Sequence, residues 1–391
     1  MKKVLSLLFL ILFLCSCAGN NIKNQNVRSN SGIWISYYEL SAMLKSQKGF
    51  KAEFESVVEN CKKLQIQNLY IHTRAFCDSL YESDYFPLMS AAKKYDYDVF
   101  DYIIEKCHKS DLKVHAWINP YRVSTSTSNI EDIDKQSPAY KWLKDNKSEN
   151  DSNISFANGI YLNPSSNEVR RFVIDGIREL IAKYKVDGIH FDDYFYPTTK
   201  ENFDFDLYNT YKNTVSNPMQ LDDWRRENVN LLISGCYEAI KFANKNIIFS
   251  ISPAASVESN YNNLYADVTE WIKQGYIDEI IPQLYFGFEY PDKDYRFDNL
   301  IKIWENIASN NDSVKLKIGL ANYKAKPELD ADKYEWENNS DIIARQVEIC
   351  ENDNNISGYV YFSYSSVFSD ETEYKQQTDK IIKYLEGKDN G

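Results

Sequence analysis

The chain has 391 residues, with 45 Lys and Arg against 57 Asp and Glu, and a formal net charge of −12 at pH 7. An acidic chain of this kind argues against a nucleic-acid partner, because binding to a phosphate backbone depends on clustered Lys and Arg. Apart from Cys15 and Cys17, its five cysteines are scattered and follow no spacing typical of a disulfide framework or a zinc site.

The N-terminus has the pattern of an export signal. Two lysines precede an apolar run over residues 4–14, which is too short to span a bilayer as a mature helix. The sequence Leu-Cys-Ser-Cys that ends this region resembles a bacterial lipobox, and an ordinary signal-peptidase site is the alternative. We expect residues 1–16 to be removed, Cys17 to carry lipid, and residues 17–31 to form a flexible tether. The sequence therefore predicts an exported protein, anchored by lipid to the extracytoplasmic face of the bacterial cell membrane.

The remaining chain alternates between strand-like and helix-like patterns. Apolar segments of period two predict eight strands, over residues 32–38, 68–74, 112–119, 187–192, 246–252, 277–285, 315–320 and 357–363. Segments of period 3.6 predict helices over residues 51–64, 98–110, 167–184, 221–243, 264–274, 297–309, 341–351 and 373–385.

Eight strand-then-helix units predict an α/β fold, a (β/α)8 TIM barrel over residues 32–386 with a short tail over 387–391. An open doubly wound sheet is the alternative, but such a sheet usually has a glycine-rich phosphate loop after its first strand, and this chain has Ser-Tyr-Tyr-Glu there. Long connections follow the third, fourth and seventh strands, over residues 120–166, 194–220 and 321–340. Long loops at the carboxyl ends of barrel strands are typical of a substrate cleft.

The fourth predicted strand ends in two adjacent carboxylates, Asp192 and Asp193. The carboxyl ends of barrel strands are where TIM-barrel enzymes place their chemistry. Paired acids at that rim suggest general acid/base or nucleophilic catalysis, most familiarly on glycosidic bonds. The alternative is structural, because Asp is also favoured at helix caps and in turns.

Strand alternation predicts which side chains point into the barrel. The inward set is polar and aromatic, and comprises Trp34, Ser36, Tyr38, Tyr70, His72, Arg74, His115, Trp117, Asn119, His190, Asp192, Ser250, Ser252, Gln283, Tyr285, Tyr361 and Ser363. Buried polar groups need hydrogen-bond partners, so core packing alone explains such a set poorly. A metal site built from His72, His115 and His190 is a further hypothesis, although the chain lacks tight ligand spacing.

Several blocks of the sequence resemble the glycosyl hydrolase-like 10 family of exported bacterial proteins. They are Gly32-Ile33-Trp34, residues 70–74 (YIHTR), 115–122 (HAWINPYR), 161–164 (YLNP) and 187–197, followed by Ser252-Pro253 and residues 282–285 (PQLY). The resemblance covers nearly the whole chain after the tether and implies a TIM-barrel glycosidase, in a family partly linked to bacterial cell-wall glycan. The chain departs from the family pattern at residues 254–258, where Ala-Ala-Ser-Val-Glu stands in place of the usual Phe-Gly and a following Arg.

These observations give a working hypothesis for the site. Asp192 is the expected nucleophile or transition-state stabiliser, and the general acid is expected to be Asp193, Glu258 or Glu289. A retaining mechanism, an inverting mechanism and a mechanism assisted by a substrate acetamido group all stay open. The expected substrate-binding residues are Trp34, His72, Arg74, His115, Trp117, Asn119, Arg122, His190, Tyr194, Gln283 and Tyr285. Among them, Trp34, Trp117 and Tyr194 are expected to stack on sugar rings.

The predicted function is a glycoside hydrolase that acts on a cell-wall or related N-acetylamino-sugar glycan and needs no cofactor or metal. Its expected partners are this polysaccharide and, through the lipid, the membrane. Two alternatives are a lipid-anchored carbohydrate-binding protein without catalysis and the metal-dependent hydrolase.

Overall fold

A computed structural model describes residues 30–326 and 331–389, with the side chain of residue 389 left out. The predicted signal sequence, Cys17 and most of the predicted tether lie outside the described residues, and so do the last two residues of the tail. Among the helices in these two ranges, none has both the length and the apolar character that crossing a membrane requires.

The strands are numbered in chain order. They are β1 (Gly32–Ile35), β2 (Asn68–Arg74), β3 (Lys113–Ile118), β4 (Arg122–Ser124), β5 (Ile154–Ala157), β6 (Gly159–Leu162), β7 (Gly188–Phe191), β8 (Ile248–Ile251), β9 (Glu279–Ile280), β10 (Lys315–Ala321) and β11 (Ile356–Phe362). Eight of them close into a parallel barrel in the order β1-β11-β10-β9-β8-β7-β3-β2, while β4, β6 and β5 form a small antiparallel sheet. The predicted (β/α)8 barrel is therefore confirmed.

Helices separate the barrel strands and cover the outside of the barrel. They are α1 (Tyr37–Lys45), α2 (Phe50–Lys63), α3 (Val99–His108), α4 (Pro138–Lys144), α5 (Ser148–Asp151), α6 (Asn167–Lys183), α7 (Phe205–Thr214), α8 (Leu221–Ala243), α9 (Val257–Asn263), α10 (Val268–Gln274), α11 (Phe297–Ala308), α12 (Lys333–Asn338), α13 (Ile342–Asn352), α14 (Tyr364–Val367) and α15 (Thr372–Asp389). Short 3₁₀ helices cover Ile130–Asp132, Glu201–Phe203, Lys293–Tyr295 and Asn322–Ala325.

The starts of α3 and α6 agree with the sequence prediction because each helix has a side-chain cap. Asp98 accepts hydrogen bonds from the backbone N–H groups of Phe100 and Asp101, and Ser166 does the same for the first turn of α6. Such caps satisfy donors that have no partner inside the helix.

The three predicted long connections are present on the carboxyl side of the barrel. The connection after β3 contains the small sheet, α4 and α5; the one after β7 contains α7; and the one after β10 contains α12. A fourth long connection, over residues 75–98 after β2, was not predicted. These four segments form the walls around the mouth of the barrel.

The first strand is shorter than predicted, and this corrects the position of Tyr38. β1 ends at Ile35, and Ser36 caps α1 by accepting a hydrogen bond from the backbone of Glu39, whose side chain accepts one from Ser36 N in return. Tyr38 therefore lies on α1 and is 73% exposed, so it does not face the barrel interior. The capping box, a Ser followed three residues later by Glu, explains the early start of the helix.

The facing of the last strand, β11, was predicted with the wrong parity. Val360 pairs with Gly32 of β1, and it packs with Trp34 and Tyr70 in the barrel interior, together with Phe362. Tyr361 instead packs between the barrel and the helices. Because β11 is apolar on both faces, its sequence gives no signal of which face is inside.

The close contact between β3 and β7 requires a glycine at position 188, and we predict that Gly188→Ala destabilises the fold. A Cβ atom there would lie 2.1 Å from His115 Nδ1. That ring cannot easily move, because its Nε2 is hydrogen-bonded to Asn68 (3.1 Å) and it stacks on Tyr70 (4.5 Å between centroids). We expect the free energy of unfolding in urea to fall by about 1–3 kcal/mol.

The matched control is Gly235→Ala in α8. Its new Cβ would meet only the end of the flexible Ile174 side chain, at 2.8 Å, and alanine is favoured over glycine in a helix by about 1 kcal/mol. We expect this variant to be neutral or slightly stabilised. An equal loss of stability in both variants would contradict the steric explanation.

Candidate active site

Asp192 lies at the mouth of the barrel, directly after β7, and it is only 3% exposed. Trp117, on the neighbouring strand β3, donates from Nε1 to Asp192 Oδ2 at 2.9 Å. The backbone N–H of Tyr194 donates to Oδ1 at 3.2 Å. With its amide nitrogen facing the carboxylate, Asn119 donates to Oδ2 at 2.5 Å and to Oδ1 at 3.0 Å. Asp192 is thus held by donors from two adjacent strands.

Arg122 brings a positive charge to this carboxylate. It begins β4, in the connection after β3, and its Nη1 donates to the amide oxygen of Asn119 at 3.2 Å. The guanidinium also lies over the ring of Tyr194, 3.5 Å from its centroid, in a cation–π contact. Tyr194 is 47% exposed, so this stacked pair forms part of the open wall of the mouth.

Asp193 directly follows Asp192 in the chain and is partly buried. Gln283 donates from Nε2 to Asp193 Oδ1 at 3.2 Å and to the carbonyl oxygen of Ser252 at 3.0 Å. Gln283 follows β9, so the end of the sixth barrel strand contacts the connection after the fourth. The barrel closure thereby brings together residues that are 90 positions apart in the chain.

Both carboxyl groups of the pair have raised pKa values. Burial is the largest cause for Asp192, and with the negative charge of Asp193 it raises the pKa of Asp192 to about 7 against the opposing effect of Arg122. Burial also raises the pKa of Asp193, whereas the hydrogen bond from Gln283 and the charge of Arg122 act in the other direction. Because both pKa values are raised, the pair does not readily carry two negative charges at once, and one of its carboxyl groups can hold a proton near neutral pH. Such a pair is suited to proton transfer.

Tyr285 contributes to an aromatic cluster near the pair. Its ring stacks on Phe362 at 5.7 Å and meets Tyr323 edge-on at 5.9 Å. Burial, together with the charges of Asp193 and Asp192, raises the pKa of Tyr285 well above its ordinary value, so the phenol stays protonated and can donate a hydrogen bond. Sequence reasoning missed Phe362, because it assigned that side chain to the outer face of β11.

Among the three inward histidines, His72 is the one that stacks closely on Trp117. Its ring stacks on Trp117 with 3.7 Å between centroids, and the backbone N–H of Tyr37 donates to its Nδ1 at 3.4 Å. Burial and the charge of Arg122 lower the pKa of His72 well below its ordinary value. The ring is therefore neutral and supports the tryptophan that holds Asp192.

His190 and His115 lie deeper and are satisfied within the barrel. Trp34 donates from Nε1 to His190 Nε2 at 3.0 Å, so the ring proton is on Nδ1, which donates to Ser250 Oγ at 2.8 Å. Burial lowers the pKa of His190 to about 3. His115 is hydrogen-bonded through Nε2 to Asn68, the first residue of β2, which lies at the end of the barrel away from the mouth. The His115 side chain is buried, with 1% exposure. Neither ring reaches the open mouth.

The histidine hypothesis for a metal site finds no support in this arrangement. Each of the three rings has a different set of partners, and they lie at different depths of the barrel. Within residues 30–326 and 331–389, no group of three or more His, Cys, Asp or Glu side chains is placed to hold a metal ion.

The prediction that Arg74 faces the mouth is wrong. The pairing of β2 with β3 shifts between His72 and Arg74, so Arg74 pairs with the outward-facing Ile118. Its guanidinium lies over the ring of Phe86, 4.1 Å from the centroid, and next to Gly176 of α6. The bulge adds one residue to β2 and reverses the facing that simple alternation predicts.

Trp34 and Trp117 were predicted to stack on sugar rings at the mouth, but both side chains are buried. Trp34 is 2% exposed and packs in the barrel interior against Tyr70 and His190. Trp117 is also buried, covered by His72, and its indole N–H holds Asp192. Of the three predicted stacking residues, Tyr194 is the one with an exposed ring.

The structure does not bring Glu258 or Glu289 to the pair. Glu258 lies exposed in the first turn of α9, and Glu289 is exposed in the connection after β9, where its backbone N–H donates to Glu335. In the described part of the chain, no hydrogen bond or ion pair joins either glutamate to Asp192 or Asp193. The second carboxyl beside Asp192 is therefore Asp193.

Comparisons with known proteins agree with this geometry. Residues 30–337 match the glycosyl hydrolase-like 10 family. Glycosyl hydrolase YngK of Bacillus subtilis (strain 168) is 31% identical over 372 residues, which cover 87% of this chain and 69% of YngK. Glycosyl hydrolase DigH of Escherichia coli (strain K12) is 28% identical over 360 residues, which cover 85% of this chain and 78% of DigH.

A solved structure shares the fold. The glycoside hydrolase domain of PgaB (BpsB) from Bordetella bronchiseptica superposes with a TM-score of 0.61 at 12% identity, covering 90% of this chain and 99% of that domain. At this identity the likeness concerns the fold alone. The family match spans most of the chain and includes the strands that carry the carboxylate pair. The chain therefore belongs to the glycosyl hydrolase-like 10 family and is a glycoside hydrolase.

Proposed function

We propose that this protein hydrolyses glycosidic bonds in a bacterial cell-wall or related N-acetylamino-sugar glycan, with Asp192 and Asp193 as the catalytic carboxylates. The observation that carries the proposal is the adjacent pair at the barrel mouth, with raised pKa values and a shared cationic neighbour, Arg122. The glycan class is inferred from the family, part of which is linked to cell-wall glycan, and from the predicted export and lipid anchoring at Cys17.

The hydrogen bonds of the pair suggest different roles for its members. Asp192 accepts hydrogen bonds from Trp117, from the backbone of Tyr194 and, at both oxygens, from Asn119. A carboxylate has about four lone-pair sites, so these four hydrogen bonds fill them. These donors favour the ionised form against the effect of burial, which raises the pKa of Asp192 to about 7. The ionised form is therefore accessible at neutral pH and can stabilise positive charge on the sugar.

Asp193 suits the role of general acid. Among the described residues, Gln283 is the one side chain hydrogen-bonded to it, through Oδ1. Its second oxygen is therefore available to pass a proton to the leaving oxygen of the substrate, and its raised pKa keeps that proton bound at higher pH.

This division of roles favours a route in which the substrate supplies the nucleophile. A carboxylate whose lone pairs are already occupied by protein donors is poorly placed to attack the anomeric carbon. It can instead stabilise the positive charge of the oxazolinium ion that forms when the acetamido oxygen attacks the anomeric carbon and Asp193 protonates the leaving oxygen. Water then opens this ion with overall retention. The ordinary retaining mechanism, with Asp192 as the nucleophile, is the competing route.

The test is a product screen with purified protein. Denuded cell-wall glycan, the same glycan with stem peptides, and chitooligosaccharides are incubated with the wild type, and the products are identified by mass spectrometry. We expect cleavage of at least one of these substrates, and proton NMR of the first product should show the retained anomer. Binding without any cleavage would favour the alternative of a carbohydrate-binding protein.

Removal of the Arg122 charge is expected to shift the pH profile of the enzyme. The guanidinium lowers the pKa of both Asp192 and Asp193. In Arg122→Gln these pKa values rise further, so the acid stays protonated to higher pH and the alkaline limb of kcat/KM moves up by about one pH unit. The measurement is kcat/KM between pH 4 and 9.

The matched control for this prediction is Arg171→Gln. Arg171 is exposed on the outer helix α6, where it pairs with Glu168. We expect its profile to overlay that of the wild type. An unshifted or downward-shifted alkaline limb in Arg122→Gln would show that this charge does not set the protonation of the pair.

A further inference from the structure

A cavity separate from the carboxylate pair opens on the same side of the barrel. Its volume is about 220 Å³, and it lies between the connection after β2 and the segment that continues from β4. Its walls combine apolar and polar groups, among them Phe76, Asp78, Pro87, Val123, Ser126 and Ser137. Pockets for drug-sized ligands have volumes of about 300–1,000 Å³, so this cavity fits a smaller unit such as a single sugar ring.

Asp78 and Ser137 are polar groups of this cavity that each have a buried oxygen without a hydrogen-bond partner in the described part of the chain, and Asp78 is the one that carries a carboxyl group. The side chain of Asp78 is partly buried, and its Oδ1 atom is buried without a hydrogen-bond partner within the described residues. Oδ2 accepts a long hydrogen bond from Tyr37 Oη at 3.5 Å. Burial raises the pKa of Asp78 to about 6. A buried acceptor without a partner lowers stability, and a ligand that donates to it recovers that cost.

The cavity is linked to the active site through shared residues. Tyr37, which contacts Asp78, also donates from its backbone to His72, and His72 stacks on the tryptophan that holds Asp192. On the other wall, Val123 directly follows Arg122, whose guanidinium lies over Tyr194. Contacts through Tyr37 and His72, and the chain connection from Arg122 to Val123, therefore join the cavity to residues around the carboxylate pair.

We propose that this cavity is an accessory subsite that holds one sugar residue of the bound glycan, away from the cleaved bond. Asp78 accepts hydrogen bonds from a hydroxyl or amide N–H of that sugar, and Phe76 and Pro87 pack against its C–H face. The inference rests on the proposed function for the identity of the ligand as an amino-sugar glycan. It extends that function by assigning a place where chain length is recognised.

Two variants test the subsite by different means. Asp78→Asn keeps the shape of the side chain but removes the charge, and Ser126→Phe narrows the cavity from an exposed position on its rim. Asp175→Asn, on the outer surface of α6, is the matched control. Thermal melting of each variant verifies that it is folded.

The probes are a chitopentaose, an oligomer of denuded cell-wall glycan of the same length, and an aryl glycoside of one N-acetylglucosamine. We expect both cavity variants to weaken binding of a pentameric glycan about tenfold or more in titration calorimetry. KM for that glycan should rise with little change in kcat, and turnover of the aryl monoglycoside should stay at the wild-type rate. The control variant should match the wild type throughout.

The outcomes separate the subsite from the proposed function. If the wild type binds a pentamer but cleaves nothing, while Asp78→Asn loses the binding, the subsite stands and the proposed hydrolysis fails. Equal pentamer affinity in the wild type and both cavity variants would overturn the subsite. Absence of binding of either pentamer to the wild type would overturn it as well.

Discussion

Replacement of Asp193 by asparagine is expected to lower kcat on the natural glycan by about 10²–10⁴-fold. The amide cannot give a proton to the leaving oxygen, while Gln283 and the surrounding backbone keep their positions. An aryl glycoside with an acidic phenol as leaving group needs little protonation, so we expect its cleavage to fall much less. The measurement is kcat for both substrates with the wild type and the variant.

The comparison variant is Asp192→Asn. Because Asp192 is proposed to act on the sugar and not on the leaving group, its loss should slow both substrates to a similar extent. Circular dichroism and melting curves would show that each variant retains the fold. Full activity of Asp193→Asn on the glycan, or equal losses on both substrates, would contradict its role as the general acid.

The second large effect is expected from the buried ion pair between Asp204 and Arg225. Arg225 donates from Nε to Asp204 Oδ2 at 2.9 Å and from Nη2 to Oδ1 at 2.5 Å, and both side chains are fully buried. Ser165 and Tyr196 also donate to Asp204 Oδ2, at 2.9 and 3.1 Å. This network fixes the connection after β7, which begins with the carboxylate pair.

Asp204→Asn is expected to lower the free energy of unfolding by about 3–5 kcal/mol, because it leaves the charge of Arg225 buried and uncompensated. The measurement is the midpoint of urea denaturation at unchanged slope. The control, Asp175→Asn, removes an exposed partner of Arg178 and should change stability by less than about 1 kcal/mol. Similar midpoints for both variants would show that the buried pair contributes little.

The local sequence pattern correctly predicted the position of some residues of the candidate site. Asp192 and Asp193 follow a short strand that is apolar on one face, and the carboxyl end of a barrel strand places them at the mouth. Trp117, Asn119 and Gln283 follow the same logic on other strands, and their side chains reach the pair. Alternation along a strand and the parallel direction of the barrel strands were enough to place these residues.

The local sequence pattern did not predict the positions of other residues correctly. Arg74 was misplaced by a bulge, which depends on how β2 pairs with β3 and leaves no mark in the sequence of β2 alone. Glu258 and Glu289 were plausible acids by chain position, but their connections lead them to the exposed surface. The buried pair of Lys317 and Glu279 inside the barrel, 2.9 Å apart, was also not foreseen.

The amino-acid sequence by itself determined the alternating strands and helices, their closure into an eight-stranded barrel, and the two acids after β7. Periodicity, helix caps and turns are local properties, so they are present in the chain before it folds. The tertiary structure alone decided the facing of β11, the neutral and buried state of His115 and His190, and the exposed positions of Glu258 and Glu289. These depend on which side chains and charges surround a group after folding, since desolvation and pairing between strands arise only when distant segments meet.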